Sequence, residues 1–157
     1  MSVPADGRFR VRVPVRFRDL DPMGHAHHTL PLIYLEEARA AFWRMLKGSA
    51  ALDVIDYVMA EVTVRFHGRI RFPSDVLVGL AVRRVGGKSF TTDFEIRSET
   101  GALLAEGSAV QVAYDYAAER SKPIEAADRA VLEQWRDAAQ NSRAMPADAS
   151  PISPPST

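Results

Sequence analysis

The sequence predicts an α+β fold in which one curved antiparallel sheet wraps around a long buried helix. Three patterns point there. The stretch RFRVRVPVRFR, residues 8–18, alternates apolar and polar residues with a period of two, as a half-buried strand does. The stretch TLPLIYLEEARAAFWRMLKG is apolar around most of a helix, as a largely buried helix must be. From about Met59 to Tyr116 the chain reads as strands joined by short turns, which suits antiparallel neighbours. A single sheet packed on one helix is one of the few ways such faces can close a core.

Each element has its own justification. In the first strand Phe9, Val11, Val13, Val15 and Phe17 share the core face, and Arg8, Arg10, Arg12, Arg16 and Arg18 share the other. Pro14 lacks a backbone donor and belongs at an edge or a bulge. The helix is expected from about Thr29 to Lys47. Thr29 is its N-cap, and Pro31 sits in the first turn, where a missing N–H costs least. Glu36 and Glu37 precede Arg44 and Lys47, in line with the helix dipole, and Gly48 is its C-cap. Strands are expected near Met59–Phe72, Val76–Arg84, Ser89–Ser98 and Leu103–Tyr116, divided by the turn signals FPSD, VGGK and SETG. A short helix follows from about Pro123. Residues 1–138 form a single domain. Residues 139–157, rich in Pro, Ser and Ala with little to bury, are expected to be a disordered tail.

Composition narrows the function classes. The chain has 157 residues, 46% hydrophobic and 25% charged, with a formal net charge of zero. That gives no reason to expect a nucleic-acid or membrane partner. There is no cysteine, which removes disulfides, thiolate metal ligands and a Cys nucleophile, and which fits a cytoplasmic protein. The opening MSVPADGRFR lacks the apolar core of a signal peptide, and no run approaches the ~20 apolar residues a membrane span needs.

Chemistry concentrates in RDLDPMGHAHH, residues 18–28. His25, His27 and His28 lie beside Asp19 and Asp21, but adjacent His27 and His28 do not readily converge on one ion. There is also no His-Glu-x-x-His helix, so no metal is expected. A polar loop of hydrogen-bonding histidines is the plainer alternative. A catalytic loop is the third reading. A carboxylate just before a helix N-terminus pairs a base or nucleophile with unpaired N–H groups able to polarise a carbonyl and hold an oxyanion. Asp21 is favoured over Asp19, because Pro22 and Gly24 set a tight turn directly after it. Such a loop suits acyl-group hydrolysis. Elsewhere, Glu36 and Arg39 are spaced to pair on the helix. Glu61 faces either the site or solvent, and His67 is read as a surface or satisfied core residue.

The stretch VRFRDLDPMGHAHHTLPLIYLEEAR resembles the signature of hotdog-fold acyl-CoA thioesterases of the 4-hydroxybenzoyl-CoA thioesterase type. Phe17, Asp19, Asp21, Gly24, His25, Tyr34, Glu37, Ala38 and Arg39 match it in register. GRIRFPSDVLV, VGGKSFTTDFEI and LLAEGSAVQVAYD resemble later parts of the family in the same order, to about Ala130. Two positions depart from the pattern: His27 and His28 replace an Asn pair, and Pro31 replaces an aromatic or aliphatic residue.

The resemblance implies a hotdog fold and hydrolysis of an acyl-CoA thioester to free acid and CoA. It implies that Asp21 is the catalytic carboxylate, as general base or nucleophile, and that the His28 backbone N–H polarises the carbonyl. Gly24, His25, Tyr34, Lys88 and Ser89 would contact substrate, and Arg83, Arg84 and Lys88 are either CoA-phosphate contacts or a solvated hairpin. No cofactor is implied beyond the coenzyme A of the substrate. The partner would be a second copy of the chain, in a homodimer or homotetramer with sites at the subunit interface. Two other readings stay open: a thioesterase acting on acyl carrier protein, and a non-catalytic acyl-CoA-binding hotdog protein.

Overall fold

The computed structural model describes residues 2–50 and 55–144. The elements run β1 (Arg8–Pro14), α1 (Leu30–Lys47), β2 (Tyr57–Phe66), β3 (Asp75–Val85), β4 (Ser89–Ser98), β5 (Leu103–Asp115), β6 (Arg120–Ser121) and α2 (Ala126–Ala144). The sheet order is β1-β3-β4-β5-β2, with every pairing antiparallel and β6 added to the end of β5. Among the described residues no helix is long and apolar enough to cross a membrane.

One face of the sheet makes the core. Val76, Val78, Leu80 and Val82 of β3, and Phe90, Phe94 and Ile96 of β4, alternate inward and are buried, as period two requires. They meet Tyr34, Leu35, Ala38, Phe42, Trp43 and Leu46 of α1, which packs on β1 and β3. A bulge between Val82 and Arg84 inserts one extra residue. Val82 and Val85 thereby both keep to the core side, while Arg83 and Arg84 are exposed between them.

Four expectations need correction. The first strand stops at Pro14 rather than at Arg18, and residues 17–19 form a 3-10 turn. Phe17 is therefore 77% exposed instead of in the core. The cause is local: the Arg16 N–H is taken by the Asp19 side chain at 2.8 Å and leaves the ladder. The strand expected to reach Phe72 ends at Phe66. Beyond it, the Ile70 carbonyl accepts from the Ala26 N–H, so this segment pairs with the loop before α1. Leu32 and Ile33 are exposed, so the buried stripe of α1 is narrower at its start than the sequence suggested.

The fourth correction concerns α2, which continues through Ala144; residues 139–144 belong to the domain, not to a tail. Residues 145–157, the rest of that expected tail, lie outside the described residues. Trp135 of α2 is buried against Phe9 and Phe42, with ring centroids 5.8 and 5.9 Å away. Further on, Ala139 crosses Gly7 so closely that a Cβ there would lie 2.2 Å from the Ala139 nitrogen. Only glycine fits, and its φ of +60° is also one that glycine adopts freely. Arg143 ends the crossing on Asp93 at 3.1 Å.

Candidate active site

The loop from Asp19 to His28 is built by its own turn chemistry. The Gly24 N–H bonds the Asp21 carbonyl at 3.0 Å, closing a β-turn with Pro22 at its second position and Gly24 at its fourth, where these residues are favoured. Gly24 has φ +78°. Oδ1 of Asp21 accepts from the Met23 N–H at 2.9 Å and more loosely from the His25 N–H at 3.4 Å. Backbone donors thus fix one carboxylate oxygen. Among the described residues nothing bonds the other, and Asp21 remains partly exposed.

The helix begins directly after this loop. Thr29 has helical backbone angles and its side chain does not cap, contrary to the sequence expectation. His27 takes that place: its carbonyl accepts from the Leu30 N–H and its Nδ1 from the Thr29 N–H at 3.3 Å. Nδ1 also lies 2.9 Å from Thr29 Oγ1. The backbone N–H of His28, between them, has no partner among the described residues. It sits at the positive end of α1.

Beneath the loop, Asp19 is 8% exposed and Tyr34 only 2%. The Tyr34 hydroxyl donates to Asp19 Oδ2 at 2.8 Å. Burial, and then the Asp19 carboxylate, push the Tyr34 pKa well up, so its hydroxyl stays a donor at all working pH values. His25 lies in the loop, its carbonyl accepting from the Asp21 N–H at 2.8 Å. His28 is exposed, its ring 4.0 Å from that of His27.

Not every site residue expected from the sequence is brought together. Asp21, Gly24, His25 and His28 share one loop, with Tyr34 packed beneath it. Lys88 and Ser89 lie at the β3–β4 turn, whereas the loop abuts the opposite end of β3, where Ala26 bonds Ile70. The eleven residues of β3, at ~3.3 Å each, put them roughly 30 Å apart within one chain. Arg83 pairs with Asp93 at 3.3 Å. Glu61 is exposed on β2, and His67 is half exposed and lies 3.3 Å from Glu106.

The Glu36–Arg39 pair forms, and sequence spacing missed that Arg39 also donates to buried Gln111 at 3.0 Å from β5. The Tyr34–Asp19 bond was missed too, although a tyrosine on the buried face of a helix needs a partner for its hydroxyl. The three histidines do not gather ligand atoms around one point. Among the described residues only Asp56, Glu125 and Asp128 do so, and there Lys47 and Lys122 pair with them.

The antiparallel sheet packed around α1 is a hotdog fold, the fold of a known superfamily. The model of the thioesterase superfamily matches residues 23–105, and the chain belongs to that superfamily. A thioesterase from Thermus thermophilus, crystallised with coenzyme A and zinc, is 30% identical with a TM-score of 0.71, over 83% of this chain and 93% of that one. A candidate acyl-CoA thioesterase from Xanthomonas campestris is 36% identical with a TM-score of 0.62, over 68% and 92%. A Bacillus stearothermophilus protein, 23% identical with a TM-score of 0.75 over 81% and 95%, shares the fold. No curated protein matches the chain.

Proposed function

We propose that the protein hydrolyses an acyl-CoA thioester to the free acid and CoA in the cytoplasm, with Asp21 as the catalytic carboxylate. The observation that carries this is the pairing of an Asp21 oxygen left free by its backbone-anchored partner with the unpartnered His28 N–H at the start of α1. The thioester carbonyl accepts from that N–H, which polarises the carbonyl and steadies the oxyanion as the carbon becomes tetrahedral. In one route Asp21 takes a proton from water, whose oxygen attacks the carbonyl carbon; the C–S bond then breaks and CoA leaves as thiol once protonated. In the other, Asp21 attacks first, CoA leaves, and water cleaves the resulting anhydride. Neither route needs a metal or a cofactor beyond the CoA of the substrate. Gly24 and His25 line the approach to the carbonyl.

Support for CoA comes from the Thermus thermophilus relative bound to coenzyme A and the Xanthomonas campestris candidate. A homodimer supplies what one chain separates. β2 is a ten-residue edge strand with one side unpaired among the described residues, which favours addition of a second copy. Lys88 and Ser89, too far from Asp21 in their own chain, then serve the partner's site. The test is a hydrolysis screen of a panel from acetyl-CoA to palmitoyl-CoA with benzoyl-CoA, run beside acylated carrier protein, with light scattering on the same sample. CoA ester turnover by a dimer or tetramer is expected. Turnover of carrier-protein esters alone selects the carrier reading. Tight CoA-ester binding without turnover selects the binding-protein reading, and a fully active stable monomer overturns the shared site.

A further inference from the structure

The loop that carries Asp21 is fastened at a point the chemistry itself does not touch. Asp19 is a three-way junction. Its Oδ2 accepts from the Tyr34 hydroxyl and from the Arg16 N–H, both at 2.8 Å, and its carbonyl accepts from the His27 N–H at 2.9 Å. The first bond ties the loop to α1. The second fixes where the chain leaves β1, and the third holds the residue immediately before the His28 N–H. Asp21 lies two residues beyond the junction, so both groups assigned to the reaction hang from it.

We propose that Tyr34 is a positioning residue: acting through Asp19, it sets the placement of the Asp21 carboxylate relative to the His28 N–H. This rests on the hydrolase reading above and replaces the substrate-contact role expected for Tyr34, whose hydroxyl is used internally and whose ring is buried. A tyrosine in a well-packed core that served stability alone would have no connection to the two groups. Here one hydroxyl reaches both through a single residue, Asp19, whose side chain it holds and whose carbonyl holds His27. Tyr34 remains protonated as a consequence of its burial, so the tie persists wherever the enzyme works.

The experiment compares Tyr34→Phe, Asp19→Ala, Asp19→Asn and the Tyr34→Phe/Asp19→Ala double variant in the full chain. The substrate is the best ester of the acetyl-to-palmitoyl-CoA and benzoyl-CoA panel, assayed well below each melting temperature. Displacing reacting groups by a fraction of an ångström predicts a kcat loss of about 10- to 100-fold in Tyr34→Phe, with KM changed by less than about threefold. Asp19→Ala should lose a similar factor, and the double variant no more than the worse single one, because two residues acting as a unit are not additive. Asp19→Asn, which keeps an acceptor oxygen in place, should recover most of kcat. Wild-type kcat in Tyr34→Phe, or losses that multiply in the double variant, would overturn the proposal. If Tyr34→Phe does not fold, equal kcat values for Asp19→Ala and Asp19→Asn overturn it. Asp21→Asn in parallel separates the two levels: its retaining activity defeats the hydrolase site, whereas an inactive Asp21→Asn beside a fully active Tyr34→Phe defeats only the role of Tyr34.

Discussion

The two ends of α1 hold carboxylates in opposite states. At its start, Asp21 is partly exposed, with one oxygen anchored by backbone and the other free. At its end, Lys47 is shared between Asp128 at 2.6 Å and Asp56 at 2.9 Å. Tyr57 donates to Asp128 at 3.0 Å, and Lys122 closes on Asp56 at 2.5 Å. Every charge in that cluster has an opposite partner, and it joins α1 to β2 and α2. A buried carboxylate neutralised by an ammonium partner is shielded from a substrate and serves the fold. One held still by backbone N–H groups, with no cation on it and partly exposed, is free for chemistry. The contrast explains why Lys47, Lys122, Asp56 and Asp128 at one end can be structural while a single aspartate at the other is the reactive candidate.

Substitutions at the two ends should therefore separate activity from stability. Asp21→Asn is expected to lower kcat by about 10²–10⁴-fold, the range for a lost base, with an unchanged melting temperature. A retained tenth of wild-type kcat would break the contrast from one side. Asp128→Ala should do the reverse, because it removes the acceptor of the buried Tyr57 hydroxyl and leaves Lys47 with Asp56 alone. A loss of about 2 kcal/mol in chemical denaturation is expected, with kcat preserved in the fraction that stays folded. An equal fall in kcat would show that the far end reaches the site.

The same cluster makes a prediction in pH. Burial alone would raise the Asp56 pKa, but the Lys122 and Lys47 ammonium groups override it and hold the carboxyl below its usual range. A depressed acid contributes stability above its unfolded pKa and loses it as pH falls through the folded value. Lys47 is opposed by burial but raised on balance by Asp128 and Asp56, so its contribution is present below its unfolded pKa and fades as pH rises through the folded one. The cluster thus stabilises from about pH 4 to about pH 10. Asp56→Asn should cost about 1–2 kcal/mol at pH 7, and the gap from wild type should close as denaturation is repeated toward pH 3. A gap that stays constant would mean that the charge of Asp56 does not matter. The smallest effect is expected from chelation: dialysis against EDTA should leave activity unchanged, since the histidines of the loop do not converge. Activity lost with stoichiometric zinc removal, and restored by zinc, would move the chemistry from Asp21 to an ion.

Pattern-based reading was accurate where a structure follows from neighbours in sequence. The β4 strand matches its expected bounds, because FTTDFEI alternates without interruption between two turns. The Asp21 turn was readable because Pro22 and Gly24 act on adjacent backbone. The first strand was overextended because the Phe17 and Arg18 pattern continues the alternation while Asp19, three residues along, captures the Arg16 N–H and ends it. Period two carries no warning of that capture. The end of α2 was missed for another reason. Ala139 looks like tail composition, and its burial depends on Gly7, which lies far away in sequence and alone leaves room for the crossing.

By itself, then, the sequence determined the strand and helix periods, the layered fold, and the loop that sets a carboxylate before a helix N-terminus, since all of these arise within a few residues of chain. Tertiary structure alone decided that Asp19 is buried under Tyr34, that Arg39 meets Gln111, that Lys47 joins Asp56 to Asp128, and that Lys88 stands at the far end of the sheet from Asp21. Hydrogen-bond and ion-pair partners are chosen by distance in space, and in an antiparallel sheet that distance is set by strand register and by which helix covers which face. Spacing along the chain does not encode either.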